Sequence, residues 1–398
     1  MTIAAPTISQ EETPSLEVAG QHLTVFAESP PLLDARAADM AAATKRIWLE
    51  TYIFFNDAGG KRIAEILKSK AREGLDVRVL YDAVGSISTP SSFFRDMEAA
   101  GVRVRAYRTL WDGLRRFRFL SFLNHRNHRK LLVIDDRLGF FGGMNIVDNV
   151  DPASKDAASK PTSSGWRDVH VRLEGSQQPE LGESFLRVWN GIDGPRRGRA
   201  KRRRARERNF VSTVDDAPSE RICFIDSTGK RFSRAFRVYT RLINRSRRQI
   251  TLAMAYFIPT GAVLRALLRA RKRRVGIRII LPDKSDVPLA QRAASYLYRA
   301  LLRRGFRIYQ RRSRMLHSKV MIVDDLYTVV GSANLDPRSL HTNLEFLAVI
   351  RSQSFARLLS RIARDEIAHS NRITAANCRP NRWQLFLNTC AWWLRWAL

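Results

Sequence analysis

Apolar and polar positions along this chain change their period several times, and they do so twice in the same order. Residues 47–54 form a β-branched and aromatic run of strand type, residues 60–73 carry apolar side chains at helical spacing, and residues 77–82, after Gly74, return to strand character. A helical stretch at 91–100 stops at Gly101 and leads into a strand at 102–107. The series then recurs as strand 250–258, helix 261–274, strand 277–281, helix 289–304 and, after Gly305, strand 306–310. Strands and helices alternating in a repeated series predict an α/β protein with two similar α/β/α sandwich domains in one chain, related by a pseudo-two-fold axis.

Each series ends in the same chemistry. His128, Lys130, Asp135, Gly142, Gly143 and Asn145 obey the spacing His-x-Lys-x4-Asp-x6-Gly-[Gly/Ser]-x-Asn, and so do His317, Lys319, Asp324, Gly331, Ser332 and Asn334. The four apolar residues after each Lys read as a buried strand, on which positions two apart share a face, so imidazole and ammonium project together. The Asp stands at the strand end, where it can organise the turn without touching the imidazole. The return strand brings the Asn back beside the pair. Lys and Asn suit phosphate oxygens, and an imidazole suits attack or proton transfer near neutral pH. Two such sets suggest one site in which one His attacks phosphorus while the other protonates the leaving alcohol. Asp168 and Glu345, each on the strand that follows its motif, are candidate carboxylates for orienting the histidines.

The duplicated motif resembles that of the phospholipase D superfamily. The likeness runs from about Gln21 to Arg361 and is nearest the bacterial cardiolipin synthases that lack amino-terminal membrane spans, which share Tyr52-Ile53-Phe54, Tyr256-Phe257-Ile258-Pro259 and Asn334-Leu335-Asp336-Pro337-Arg338. Gly143 stands where the signature usually has the Ser found at Ser332. The resemblance implies an active site at the interface of the two halves, a phosphatidyl-histidine intermediate, and transfer between two phosphatidylglycerol molecules with release of glycerol. It implies catalytic roles for His128, Lys130, Asp135, His317, Lys319 and Asp324, with Asn145, Asn334 and Ser332 on the substrate. No cofactor and no metal are expected. Family precedent favours His128 as the nucleophile, although the residues are nearly symmetric in the two roles. Hydrolysis to phosphatidic acid, as in a phospholipase D, needs the same residues and stays open, as does a superfamily nuclease.

Charge narrows the partner. The chain has 69 Lys and Arg against 38 Asp and Glu, a net +31, which calls for anionic lipid or nucleic acid. An aromatic and basic insertion (Trp111, Arg115, Arg116, Phe117, Arg118, Phe119, Phe122) before the first motif and a Trp-rich carboxy terminus favour an anionic phospholipid membrane over nucleic acid. The expected place is the cytoplasmic side of the bacterial inner membrane, held peripherally. Three scattered cysteines fit a reducing compartment. The expected division is a disordered lead-in at 1–20, a first domain at 21–194, a basic linker at 195–208, a second domain at 209–370, and an amphipathic, membrane-interface tail at 371–398. A polar loop at 151–165 follows the first motif. Oligomeric state is not legible from the sequence.

Overall fold

A computed structural model describes residues 13–109, 125–148, 166–191, 219–228 and 233–396. The aromatic insertion, the polar loop and the basic linker all lie outside these residues.

The first half contributes strands β1 (Ser15–Val18), β2 (Gln21–Glu28), β3 (Arg46–Thr51), β4 (Asp76–Asp82), β5 (Arg103–Tyr107), β6 (Leu131–Ile134), β7 (Leu138–Gly142) and β8 (Arg167–Glu174), with helices α1 (Ser29–Ala41), α2 (Ala58–Arg72), α3 (Ser91–Ala99) and α4 (Gln178–Trp189). The second contributes β9 (Arg221–Thr228), β10 (Gln249–Met254), β11 (Gly276–Pro282), β12 (Arg307–Arg311), β13 (Lys319–Val323), β14 (Tyr327–Gly331), β15 (Leu344–Arg351) and β16 (Ser370–Ile373). Its helices are α5 (Arg234–Arg245), α6 (Gly261–Lys272), α7 (Pro288–Arg303), α8 (Pro337–His341), α9 (Gln353–Ala368) and α10 (Arg382–Trp393).

The eight-stranded sheets run β1-β2-β8-β7-β6-β3-β4-β5 and β16-β12-β11-β10-β13-β14-β15-β9. Read from opposite ends, seven strands of one match seven of the other in place and order, and only the edge strands β1 and β16 are added. Both edge strands correct the expectation. The expected disordered lead-in covers residues 15–18 and the expected start of the tail falls within 370–373, yet β1 pairs antiparallel with β2 and β16 with β12. Four-residue polar strands carry little periodic signal and are fixed by the sheet edge they complete.

The layers follow from which faces are apolar. Helices α1 to α3 bury Leu32, Ile63, Leu67 and Phe94 against the outer face of the first sheet, and α5 to α7 bury Tyr239, Leu267 and Leu297 against the second. The two inner faces form one shared core in which Val133, Phe141 and Val171 pack with Val320, Ile322 and Phe346, closed by Phe185 of α4 and Leu359 of α9. The chain is therefore a pair of α/β/α sandwiches joined face to face.

Backbone bonds cross this interface in matched pairs. Arg167 N donates to Met315 O and His317 N to Arg167 O, at 2.8 and 2.7 Å; Leu344 N donates to Arg126 O and His128 N to Leu344 O, at 2.9 and 3.0 Å. The second pair repeats the first with the halves exchanged, as a two-fold axis requires. Buried ions reinforce it. Arg129 pairs with Glu50 of its own half and Asp226 of the other, and Arg167 with Glu28, Asp365 and Glu366.

Candidate active site

Each motif histidine sits just before an interior strand of its sheet, where the crossing backbone bonds hold it against the opposite half. Both reach one cavity of about 280 Å³ between the halves, lined on one side by Tyr52, Asn145, Trp166 and Arg126 and on the other by Tyr256, Asn334, Asp336 and Arg338. The run predicted as a strand at 47–54 leaves the sheet after Thr51, and the run at 250–258 after Met254, which turns Tyr52 and Tyr256 inward. Tyr52 packs edge-on to His128 at 5.0 Å between ring centroids, and Tyr256 edge-on to His317 at 6.3 Å.

The supporting carboxylates come from opposite halves. His128 Nδ1 lies 3.1 and 3.2 Å from the Glu345 oxygens, and His317 Nδ1 lies 2.9 Å from Asp168 Oδ2. A carboxylate on Nδ1 fixes the tautomer and leaves Nε2 to act. Burial lowers the pKa of His128 to about 4, helped by Lys130, against the opposing pull of Glu345. Burial and Lys319 likewise lower that of His317, so both rings are neutral at neutral pH in the empty site. Burial alone would raise the two carboxyls, but His128 and Lys130 outweigh it at Glu345, and Lys319 and His317 at Asp168, leaving both ionised.

Lys130 and Lys319 are buried among these groups. Lys130 Nζ donates to His128 O at 2.7 Å, and Lys319 Nζ stands 2.6 Å from His317 Nδ1 and 3.4 Å from Asp168 Oδ2. Burial and the proximity of Lys319 bring the Lys130 ammonium down to about 7. Asn145 Oδ1 accepts from Ile53 N at 3.2 Å, whereas Asn334 Oδ1 is buried without a hydrogen-bond partner.

Three expected site residues lie elsewhere. Asp135 has a positive φ of 50° and accepts from the backbone N–H groups of Thr44, Lys45 and Arg46; Asp324, with φ 56°, accepts from those of Arg247, Arg248 and Gln249. Both tie a turn to the start of the adjacent strand, and neither lines the cavity. Ser332 does not reach it either. Its hydroxyl donates to Glu345 and accepts from Phe346 N at 3.0 Å, so it steadies the carboxylate that holds His128. In the first half a Cβ at position 143 would overlap the Asp168 carboxylate, so Gly143 leaves room for the shorter acid.

Sequence reasoning missed Arg126, Trp166, Asp286 and Asn343. Asp286, with Val287 and Ala290, borders the cavity where α7 begins, and accepts from the Tyr256 hydroxyl at 2.7 and 2.9 Å. No repeat counterpart marks it. Arg338 and Asp336 fall within the stretch Asn334-Leu335-Asp336-Pro337-Arg338, which was already legible as distinctive. Burial lifts the Asp336 carboxyl to about 6. Among the described residues no three His, Cys, Asp or Glu side chains gather as a metal-holding set.

A family model described as "Cardiolipin synthase, PLD-like domain" matches residues 37–150 and 239–365. A cardiolipin synthase of Listeria monocytogenes serotype 4b (strain CLIP80459) is 32% identical over 355 residues, covering 88% of this chain and 70% of its own. A cardiolipin synthase A of Pseudomonas fluorescens is 31% identical over 338 residues, covering 84% and 66%. Among solved structures, a phosphatidylserine synthase of Haemophilus influenzae Rd KW20 superposes with a TM-score of 0.67 over 94% of this chain and 95% of its own; at 14% identity this likeness concerns the fold.

Proposed function

The chain belongs to the phospholipase D-like cardiolipin synthase family, and from that membership we propose that it makes cardiolipin from two phosphatidylglycerol molecules. It is a phosphatidyltransferase, and the observation that carries the mechanism is the pair of imidazoles in one cavity, each bonded through Nδ1 to a carboxylate of the other half.

His128 Nε2 attacks phosphorus. The N–P bond forms as the P–O bond to glycerol breaks, and His317, once protonated, gives its proton to the departing oxygen. Glycerol leaves. The second phosphatidylglycerol then presents a hydroxyl, His317 takes its proton, and the new P–O bond displaces His128. Entry of the anionic phosphate favours a protonated His317, because its charge opposes the burial and the neighbouring Lys319 charge that keep the empty ring neutral. Asn145, Asn334, Lys130 and Lys319 stabilise the non-bridging oxygens of the five-coordinate phosphorus. Tyr52, Trp166, Ile258, Val287 and Ala290 make the cavity wall largely apolar, which favours a lipid hydroxyl over water as acceptor. Among the described residues no helix is long and apolar enough to cross a membrane. From family membership and the net charge of +31 we place it peripherally on an anionic membrane, at the cytoplasmic face of the bacterial inner membrane.

Purified protein incubated with phosphatidylglycerol vesicles should yield cardiolipin and glycerol, and leave plasmid and single-stranded DNA intact. Phosphatidic acid as the main product would make it a hydrolase. DNA cleavage lost in His128→Ala, with no lipid turnover, would make it a nuclease.

A further inference from the structure

A second basic concavity lies at the far end of α7 from the active site. It has a volume of about 430 Å³ and is lined by Arg299 and Arg303 of α7, Arg307 of β12 and Arg372 of the edge strand β16. Leu302 and Phe306 add apolar surface, and no Asp or Glu lines it. All four arginine side chains are solvent-exposed, unlike Arg129 and Arg167, which are largely withdrawn from solvent and paired with carboxylates. Among the described residues none of these four guanidinium groups makes a hydrogen bond or ion pair with protein.

Four like charges around one cavity repel one another, and an anion among them relieves that repulsion. Guanidinium forks match the oxygens of a phosphate group, and the adjoining apolar wall suits a ligand with a hydrocarbon part. The neighbouring chain points the same way. The lining reaches Cys378, and α10 begins at Arg382 with Trp383 and Phe386 stacked on each other at 5.5 Å and exposed by 65% and 55%. Indoles beside arginines are the pairing found where a protein meets the head-group layer.

We infer that this concavity is a docking site for the phosphodiester head group of an anionic phospholipid in the bilayer, separate from the lipid that reacts. The aromatic face of α10 enters the interface beside it. Helix α7 links it to the catalytic cavity, whose wall includes Ala290 near the helix start. The inference rests on the lipid-transferase reading.

The test is sedimentation with phosphatidylcholine vesicles with and without phosphatidylglycerol, using proteins that also carry His128→Ala so that the lipid is not consumed. Arg299→Gln, Arg303→Gln and Arg307→Gln together should raise the lipid needed for half-binding by about tenfold or more, for phosphatidylglycerol vesicles only. The control removes the same charge from exposed positions on α9, with Arg357→Gln, Arg361→Gln and Arg364→Gln, and should raise it less than about threefold. Melting temperatures verify that both are folded. Equal weakening by the two sets would reduce the effect to diffuse charge and overturn the site. Inorganic phosphate that abolishes vesicle binding at millimolar concentration would make it a free-phosphate site and overturn the lipid assignment. Turnover of monomeric short-chain phosphatidylglycerol by the parent protein tests the transferase reading separately. If it is absent, that reading fails; if it is present while the site variant binds vesicles normally, only the docking site fails.

Discussion

Asp168 Oδ2 lies 2.9 Å from Nδ1 of His317, a residue of the other half and 149 positions later in the chain. Glu345 stands in the same relation to His128. Neither half therefore holds a complete histidine–carboxylate pair, and the site exists only when the inner faces of the two sheets are packed.

Asp168→Asn and Glu345→Gln should each lower kcat by about a hundred- to ten-thousandfold, since an amide can hold the ring in the wrong tautomer and cannot stabilise an imidazolium. Phosphatidylglycerol turnover measures it. The double variant should be little worse than the weaker single, because both pairs serve one reaction cycle. Additive losses would mean that the two carboxylates act independently of each other.

Gly143→Ala should cost activity although no functional group is removed. The new Cβ overlaps the Asp168 carboxylate and moves it from His317 and Lys319. Ser332→Gly removes the hydrogen bond to Glu345 and the one accepted from Phe346 N, and should cost about 2 kcal/mol of stability. Comparing kcat and melting temperature of the two variants checks this: the alanine should lower kcat at least tenfold more than the glycine does.

Stability should fall as pH drops from 6.5 towards 4. The folded His128 value, about 4, lies below that of an exposed histidine, so the unfolded chain binds more protons in this window. The contribution, at most about 3 kcal/mol, is fully present above pH 6.5 and is lost as pH falls through the folded value. Asp336, raised to about 6, acts in the opposite sense. The decisive measurement is thus a difference: His128→Asn should show a shallower decline in melting temperature across this range than the parent.

The carboxy-terminal helix combines two surfaces that the tail expectation treated as one. Trp392 stacks on Tyr296 of α7 at 5.4 Å, and Ala391 is buried with Ile258, Ala290 and Ala293, next to the catalytic cavity. Trp383 and Phe386 face solvent. Trp392→Ala should therefore destabilise the fold by about 3 kcal/mol. Trp383→Ser with Phe386→Ser should stay within about 0.5 kcal/mol per residue and weaken vesicle binding. Chemical denaturation separates the two, and a large stability loss in the second variant would assign the whole helix to the core.

How much of this was legible beforehand depends on the range of the interaction. The strand-helix alternation and the faces of the two motifs follow from local periodicity, because strand and helix spacing determine which neighbours share a face, and the candidate acids Asp168 and Glu345 follow from matching the two repeats against each other. The edge strands β1 and β16, too short and polar to show a period, depend on a partner far along the chain. The same is true of the site's finer chemistry. Asp135 and Asp324 belong to the motif by spacing, but the turn that gives them a positive φ aims their carboxylates at backbone amides of the neighbouring strand. The sequence by itself determined which residues could do phosphoryl chemistry and that they come in two sets. Only the tertiary structure decided that each histidine takes its carboxylate from the other set, because that exchange is made by face-to-face packing of two sheets, a contact between distant residues that no local pattern encodes.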